Sequence, residues 1–203
     1  CGILARMTAQ ISDSFMFRGK QYALAGIHGD GLFDPRAHGV QPRTLSTACW
    51  RGFYCTYEVT DAAIELRELH IGLHGDDLAK AERGELPGLE GHTPTKDDWS
   101  GHAYKNIAVR VPFTGGILLA DGFIRELYVH MGFHPAWKYR EVHELLFEEG
   151  KLLHAQDRSS AMAALRESLD ILQSQGFRQR EGLIRSALAE AAWHAGDIPG
   201  VLA

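Results

Sequence analysis

Polar and apolar side chains alternate through the segment Tyr54–Ile71, and this alternation constrains the fold more than any other feature of the chain. It covers Tyr54–Val59, breaks at Thr60 and Asp61, and resumes at Ile64. A period of two residues is typical of a strand with one face in the core and the other in water. The aromatic and β-branched residues present here also favour strands. The segment therefore predicts a β-hairpin.

The second arm of this hairpin leaves one alternative open. Its apolar positions change parity near Glu68, which predicts a β-bulge, an extra residue in one of two paired strands. The stretch that starts at Asp61 is also rich in good helix formers. A helix is therefore the alternative for this arm.

Other strand-turn-strand patterns follow the same rule. They are a hairpin over Ser14–Ile27 that turns at Arg18-Gly19-Lys20, a hairpin that turns at Asp121-Gly122 and continues as a strand over Phe123–Met131, and a hairpin over Val142–Leu153 that turns at Glu148-Glu149-Gly150. A single strand is predicted over Tyr104–Val111. Two polar segments, Gly72–Ser100 and Gly132–Tyr139, are predicted loops, and the longer one has room for a short helix such as Asp77–Arg83.

The sequence period changes to that of a helix at Ser159. Apolar residues recur at helical spacing from Met162 to Leu172, with Gly176 as the predicted stop, and a second helix is predicted over about Gln179–Ala195. The phrase at Leu188–Asp197 resembles the first helix and turn of a tetratricopeptide repeat. Such repeats need about three units to be stable. The resemblance therefore implies a helical pair docked on the preceding domain or on a partner subunit.

These patterns together predict an α+β protein. Its main part is a mostly antiparallel β-meander, twisted into a sandwich, a barrel or a strongly curved sheet, and a C-terminal α-helical hairpin follows. The predicted β-rich domain covers residues 7–157 and the helical hairpin residues 158–203. Residues 1–6 are expected to be a tag or an upstream remnant. Their Cys-Gly-Ile-Leu resembles the start of class II glutamine amidotransferases over four residues, but that family's glycine-rich and arginine motifs do not follow.

Charge and cysteine content argue against several classes of protein. The net charge is −5, without a basic block, so we expect no nucleic-acid partner. No apolar run approaches the roughly 18 residues of a membrane span. Three cysteines, an odd number, fit a reducing cytoplasm. We expect Cys49 and Cys55 to be buried small side chains, because their spacing is poor for a metal pair.

Candidate functional residues cluster around the central hairpin and the second loop. They are Trp50, Arg51, Tyr54, Glu58, His130, His134 and Trp137. Arg51 lies between aromatic residues, so a structural ion pair and a ligand contact both stay open. His130 and His134 have the spacing of a metal pair on a helix, but Gly132 and Pro135 disfavour a helix there. We expect no metal and no cofactor.

The leading functional hypothesis is a non-catalytic binding or protein-interaction module, of the immunity or antitoxin kind, or a small-molecule sensor. It follows from plentiful aromatic and turn residues and from the lack of a catalytic motif with adequate spacing in the sequence. The expected partner is a protein or a small molecule, with self-association through the C-terminal helices as a further expectation. The alternative is a small enzyme with a cleft built around Arg51, Tyr54, Glu58 and His130.

Three phrases also resemble a family of bacterial proteins with no assigned activity. They are FRGKQYALAGI, STACWRGFYCTYEVTD and VPFTGGILLADGFIRELYVHMG. The resemblance covers about residues 13–155 and excludes the helical tail. It implies a bacterial cytoplasmic protein and no particular activity.

Overall fold

The computed structural model describes residues 9–29, 32–129 and 132–174. Within them the chain forms ten strands: β1 (Ser14–Phe17), β2 (Lys20–Gly29), β3 (Phe53–Val59), β4 (Ile64–Ile71), β5 (Thr95–Asp97), β6 (Gly101–Tyr104), β7 (Val109–Val111), β8 (Gly115–Phe123), β9 (Tyr139–Glu148) and β10 (Lys151–Asp157). The helices are α1 (Gly75–Glu82) and α2 (Ser159–Ser174), with 3₁₀ turns at Pro35–His38, Arg125–Leu127 and Ala136–Lys138.

The ten strands form one sheet, in the order β10-β9-β8-β2-β1-β3-β4-β6-β5, and β7 also pairs with β4. The prediction of a mostly β protein of the α+β class is confirmed. The sheet is mixed, however, and not a pure antiparallel meander. Strands β1 and β3 run parallel, and β2 pairs with β8, which lies far along the chain. The sheet does not close into a barrel within the described residues.

Two predicted hairpins have the turn chemistry that the sequence indicated. Arg18 and Gly19 join β1 to β2 with φ of 51° and 76°, and Glu149 and Gly150 join β9 to β10 with φ of 47° and 80°. Two consecutive positive φ angles are typical of the tight turn that matches the twist of a two-stranded ribbon. Both hairpins are confirmed.

The central hairpin is also confirmed, together with its bulge. Thr56 pairs with Glu68 while Tyr57 pairs with Leu66, so Arg67 is the extra residue in β4. The helix alternative for this arm is wrong, since Ile64–Ile71 is a strand throughout.

The predicted turn at Asp121-Gly122 is wrong. Both residues lie inside β8, where Asp121 pairs with Glu141 and Phe123 pairs with Tyr139. Gly122 has a φ of 68°, so the local signal for a left-handed residue was sound. The neighbouring strand β9 continues past it, however, and ladder pairing overrides the turn. The chain then enters the 3₁₀ turn Arg125–Leu127, so no strand covers the described part of Phe123–Met131 after Phe123.

The single strand predicted over Tyr104–Val111 is two short strands. β6 ends at Tyr104 and β7 begins at Val109, with Asn106 at a φ of 57° between them. Both pair with β4, on either side of its bulge. The backbone N–H of Ile107 donates to the carbonyl of Arg67 at 3.1 Å, which places the break opposite the bulged residue. The short helix predicted over Asp77–Arg83 is confirmed as α1.

The sheet buries a separate core on each face. The main core lies on one face and takes residues from most strands, including Phe15, Tyr57, Leu66, Ile117 and Leu145. On the other face, α2 packs against β8 and β9. Met162, Leu165 and Leu169, which the helical period placed on one side, are the buried side chains of α2 over residues 159–171. The second predicted helix, Gln179–Ala195, lies outside the described residues, as do residues 1–6.

Candidate functional site

The site lies on the outer face of the sheet, which we define as the face of β1, β3 and β4 turned away from the main core. Alternation along β3 determines this face: Phe53, Cys55, Tyr57 and Val59 are buried, so Tyr54, Thr56 and Glu58 point outward. The short strand β1 adds Ser14 opposite Thr56 and Met16 opposite Glu58. Two of the residues that the sequence singled out, Tyr54 and Glu58, therefore share one surface.

A hollow of about 360 Å³ runs across this surface, and we call it the outer-face groove. It is lined by Met16, Gln21, Thr56, Glu58, Arg67, Glu68 and Asn106. A neighbouring hollow of about 350 Å³ adjoins it at Gln21. Because the lining carries carboxylate, amide, hydroxyl and guanidinium groups, the groove both donates and accepts hydrogen bonds.

Arg67 reaches into the groove because of the bulge in β4. Its Nε lies 3.4 Å from Oε2 of Glu58, and its Nη1 lies 3.2 Å from Oε2 of Glu65. Glu58 and Glu65 are directly opposed across β3 and β4. The guanidinium thus offsets the repulsion between two like charges at opposed positions.

An aromatic cluster lies at the Glu68 side of the groove, and we call Tyr54, His70 and Trp99 the aromatic corner. The rings of Tyr54 and His70 are stacked, with centroids 4.6 Å apart and an interplanar angle of 5°. Trp99 packs edge-on against Tyr54, at a centroid distance of 6.2 Å. The side of Trp99 turned to solvent leaves it 65% exposed. A large aromatic side chain held in place and exposed to this extent is typical of a binding surface.

Carboxylates hold His70 in this position. Its Nε2 lies 3.1 Å from Oε2 of Glu68, and its Nδ1 lies 3.5 Å from Oδ2 of Asp97. The hydroxyl of Ser100 donates to the same Asp97 oxygen at 2.7 Å. Hydrogen bonds from the Ser100 hydroxyl and backbone N–H hold the pKa of Asp97 well below its usual range. Lys105 adds a contact to Asp97 at 3.0 Å.

Ser100, His70 and Glu68 have the residue types of a serine hydrolase triad but not its chemistry. Ser100 is only 2% exposed, and its single hydroxyl proton has two acceptors, Oδ2 of Asp97 at 2.7 Å and the carbonyl of His102 at 2.9 Å, both closer than Nδ1 of His70 at 3.4 Å. A nucleophile needs its proton taken by the base and its oxygen open to substrate. The arrangement orients His70 and Tyr54 and does not activate the serine.

Arg51 and Trp50 occupy other environments. Arg51 donates from Nη1 to Oδ2 of Asp13 at 3.0 Å and from Nε to the carbonyl of Phe53 at 2.6 Å. Asp13 is buried and also accepts from the backbone N–H of Cys55 at 2.7 Å. Of the two roles that the sequence left open for Arg51, the structural ion pair is therefore present. Trp50 is 58% exposed and donates from its indole nitrogen to the carbonyl of Thr47.

His134 and Trp137 do not line the groove. Trp137 is part of the core beneath α2. His134 lies between the rings of Phe123 and Tyr128, at centroid distances of 4.5 and 5.3 Å, and neither ring nitrogen has a hydrogen-bond partner within the described residues. Burial lowers its pKa. His130 lies outside the described residues.

The small-enzyme hypothesis required Arg51, Tyr54, Glu58 and His130 around one cleft. Three of these are described, and each has its own partners: Asp13 for Arg51, His70 for Tyr54 and Arg67 for Glu58. The structure does not bring Arg51 to the groove, whose lining includes Glu58. With His130 undescribed, the enzyme hypothesis stays a prediction.

Both described cysteines are free and buried. Burial raises the pKa of each thiol, which is the opposite of what a reactive thiolate requires. Within the described ranges, no cluster of three or more His, Cys, Asp or Glu side chains is arranged to hold a metal ion. No described helix is long and apolar enough to cross a membrane.

Sequence reasoning missed the residues that complete the site. The sequence could have assigned three of them, Arg67, Glu68 and His70, to the site. The predicted bulge itself places this part of β4 on the same face as Tyr54. Trp99 and Ser100 could not be assigned, since they come from the long segment after β4 and share no periodicity with it. Comparison of the chain with family models, curated proteins and solved structures found no match, so the fold and this site are the basis for a functional proposal.

Proposed function

We propose that this protein is a non-catalytic binding module that recognises a basic protein partner through the outer-face groove and the aromatic corner. The observation that carries the proposal is Trp99, an exposed indole fixed against Tyr54 beside a carboxylate-lined groove. Tryptophan and tyrosine dominate the binding energy of protein interfaces because they bury large rigid surfaces at low entropic cost.

The charge distribution supports a basic partner. Glu58, Glu65 and Glu68 lie on or beside the groove against one guanidinium, that of Arg67. The whole chain carries a net charge of −5. A negative surface around an aromatic anchor attracts a positive partner and raises its association rate. This is the charge pattern expected of an immunity or antitoxin-type protein that covers a basic target.

A partner capture experiment with matched variants tests the proposal. The wild-type chain, Trp99→Ala and Leu153→Ala are immobilised and exposed to extract of the native host. Leu153 is a suitable control because it is 51% exposed on β10, a strand at the other end of the sheet. A captured protein is then purified and titrated against each variant.

We expect a protein that the wild type and Leu153→Ala retain and Trp99→Ala loses, with an affinity loss of about tenfold or more for a residue at the centre of the contact. Raising the salt concentration is expected to weaken binding through slower association. Equal binding by Trp99→Ala and wild type would refute the proposal.

The small-molecule sensor remains the other form of this hypothesis, and the same groove would hold the ligand. Self-association through the C-terminal helices and a cytoplasmic location remain predictions as well. The residues that would carry the self-association extend beyond those described.

A further inference from the structure

The groove already contains a guanidinium, that of Arg67, held between Glu58 of the lining and Glu65 beside it. Glu58 of β3 and Glu65 of β4 are directly opposed, which places their Cβ atoms about 5 Å apart. The guanidinium of Arg67 contacts both, at 3.4 and 3.2 Å. The contacts of Arg67 thus show that this surface can bind a guanidinium group.

The hold on Arg67 is weak. Each contact is a single long approach and not the bidentate geometry that makes arginine–carboxylate pairs strong. The side chains of Arg67 and Glu58 are 39% and 44% exposed, and that of Glu65 is 23% exposed. Exposed pairs of this kind contribute little to stability. Displacement of Arg67 from these carboxylates by another cation therefore costs the protein little stability.

The rest of the lining suits a second guanidinium. Glu68, whose Oε2 contacts Nε2 of His70 at 3.1 Å, adds a third carboxylate, and the amide oxygens of Gln21 and Asn106 are further acceptors in the same groove. A guanidinium presents five N–H donors in one plane, so it uses several acceptors at once. A lysine ammonium has three donors at one point and uses such a spread lining less well.

We propose that the outer-face groove binds an arginine side chain of the partner and that Arg67 acts as a built-in competitor for the same carboxylates. This inference rests on the proposed function and names the chemistry that the groove recognises. The two parts of this surface then have separate roles. Trp99 contributes most of the affinity for the partner, and Glu58 and Glu65 bind the partner's arginine side chain.

Calorimetric titration with three blocked peptides tests the inference. The peptides share one glycine-rich sequence and differ at a single position, which is arginine, lysine or citrulline, the neutral isostere of arginine. We expect the arginine peptide to bind more tightly than the lysine peptide and the citrulline peptide to show no binding. The chain used comprises all 203 residues.

Two substitutions in the groove are expected to change the affinity for the arginine peptide in opposite directions. Glu58→Gln weakens binding of the arginine peptide by about threefold, and Arg67→Gln strengthens it by about threefold, the range of a single exposed ion pair. Glu148→Gln removes one negative charge from an exposed position on β9 and leaves binding unchanged. Thermal melts of each variant verify that the fold is intact.

Three results would overturn the inference. Equal affinity for the arginine and lysine peptides, with equal losses in Glu58→Gln and Glu148→Gln, would show unspecific charge attraction. An unchanged affinity of Arg67→Gln for the arginine peptide would show that Arg67 does not compete with it for the carboxylates. Absence of binding by every peptide would remove the arginine site, whereas Trp99-dependent capture of a partner would still stand as a separate result.

Discussion

At the scale of single residues, the buried carboxylate of Asp13 shows how one side chain joins distant parts of the chain. It accepts from Arg51 and from the backbone N–H of Cys55 on β3, the strand that pairs with β1, and β1 begins one residue after Asp13. Sequence reasoning gave Arg51 an ion pair as one of two roles. It did not name the partner, because Asp13 is 38 residues away and no local pattern links the two.

A second polar cluster, on the strands β2 and β9 that flank β8, makes the fold sensitive to acid. Glu141 accepts from Lys20, from the hydroxyl of Tyr22 at 2.7 Å, and contacts His143 at 3.1 Å. These hydrogen bonds, that from Lys20 first, lower the pKa of Glu141 from 4.5 to about 2. A carboxyl with a lowered pKa in the folded state stabilises the fold above its unfolded value. That contribution is lost as the pH falls from about 4.5 towards 2.

We therefore expect Glu141→Gln to flatten the acid limb of the stability profile. Urea unfolding at about pH 6 and about pH 3 should show a larger loss of unfolding free energy for the wild type than for the variant. Glu148→Gln is the matched control, because Glu148 is an exposed carboxylate at the other end of the same strand. Parallel pH profiles for wild type and Glu141→Gln would contradict this role.

At the scale of elements, local chemistry and ladder pairing compete. Gly19 and Gly150 lie in the turns that the sequence predicted, because neither residue falls within a strand ladder. Asp121-Gly122 has a stronger turn signal but lies within β8, since pairing with Glu141 and Tyr139 continues on both sides. A turn signal is therefore decided by whether a neighbouring strand runs past it.

Helix α2 depends on the sheet more than on its own propensity, because its apolar side is what it buries. Leu165 packs in the core against β8 and β9 and is 8% exposed. We expect Leu165→Ala to reduce the unfolding free energy by about 2–3 kcal/mol, through lost burial and the cavity that remains. Glu167→Ala, at an exposed position of the same helix, should change it by less than about 0.5 kcal/mol. Urea denaturation measures both, and equal effects would show that α2 is not docked as described.

At the scale of the whole molecule, the sheet curves until the β9–β10 turn meets the start of β4. The backbone N–H of Ile64 donates to the carbonyl of Gly150 at 2.9 Å, and the N–H of Gly150 donates to the carbonyl of Phe113 at 2.8 Å. A Cβ at Gly150 would lie 2.5 Å from the carbonyl oxygen of Val111. Only glycine permits this approach, so the turn residue also fixes the curvature that encloses the main core.

A comparison of Gly150→Ala with Gly19→Ala measures how much this contact contributes to stability. Both glycines have a positive φ, but an added Cβ at Gly19 meets nothing within 4 Å. Gly19→Ala should therefore cost only the strain of a left-handed residue, about 1 kcal/mol, whereas Gly150→Ala should cost about 3 kcal/mol because the clash adds to it. Thermal and urea unfolding give the two values. Similar losses would mean that the turn does not touch the rest of the sheet.

Local periodicity by itself determined the three hairpins β1–β2, β3–β4 and β9–β10 and the helix α2, which of their faces are apolar, and where the central bulge lies. Those features depend on neighbours a few residues apart, so Tyr54 and Glu58 could be assigned to one exposed face and Leu165 to a buried one. Only the tertiary structure decided that β1 pairs in parallel with β3, that Arg67 fills a groove, and that Trp99 stands beside Tyr54. These contacts join residues far apart in the chain, and their geometry depends on burial of the whole sheet, for which no local pattern exists.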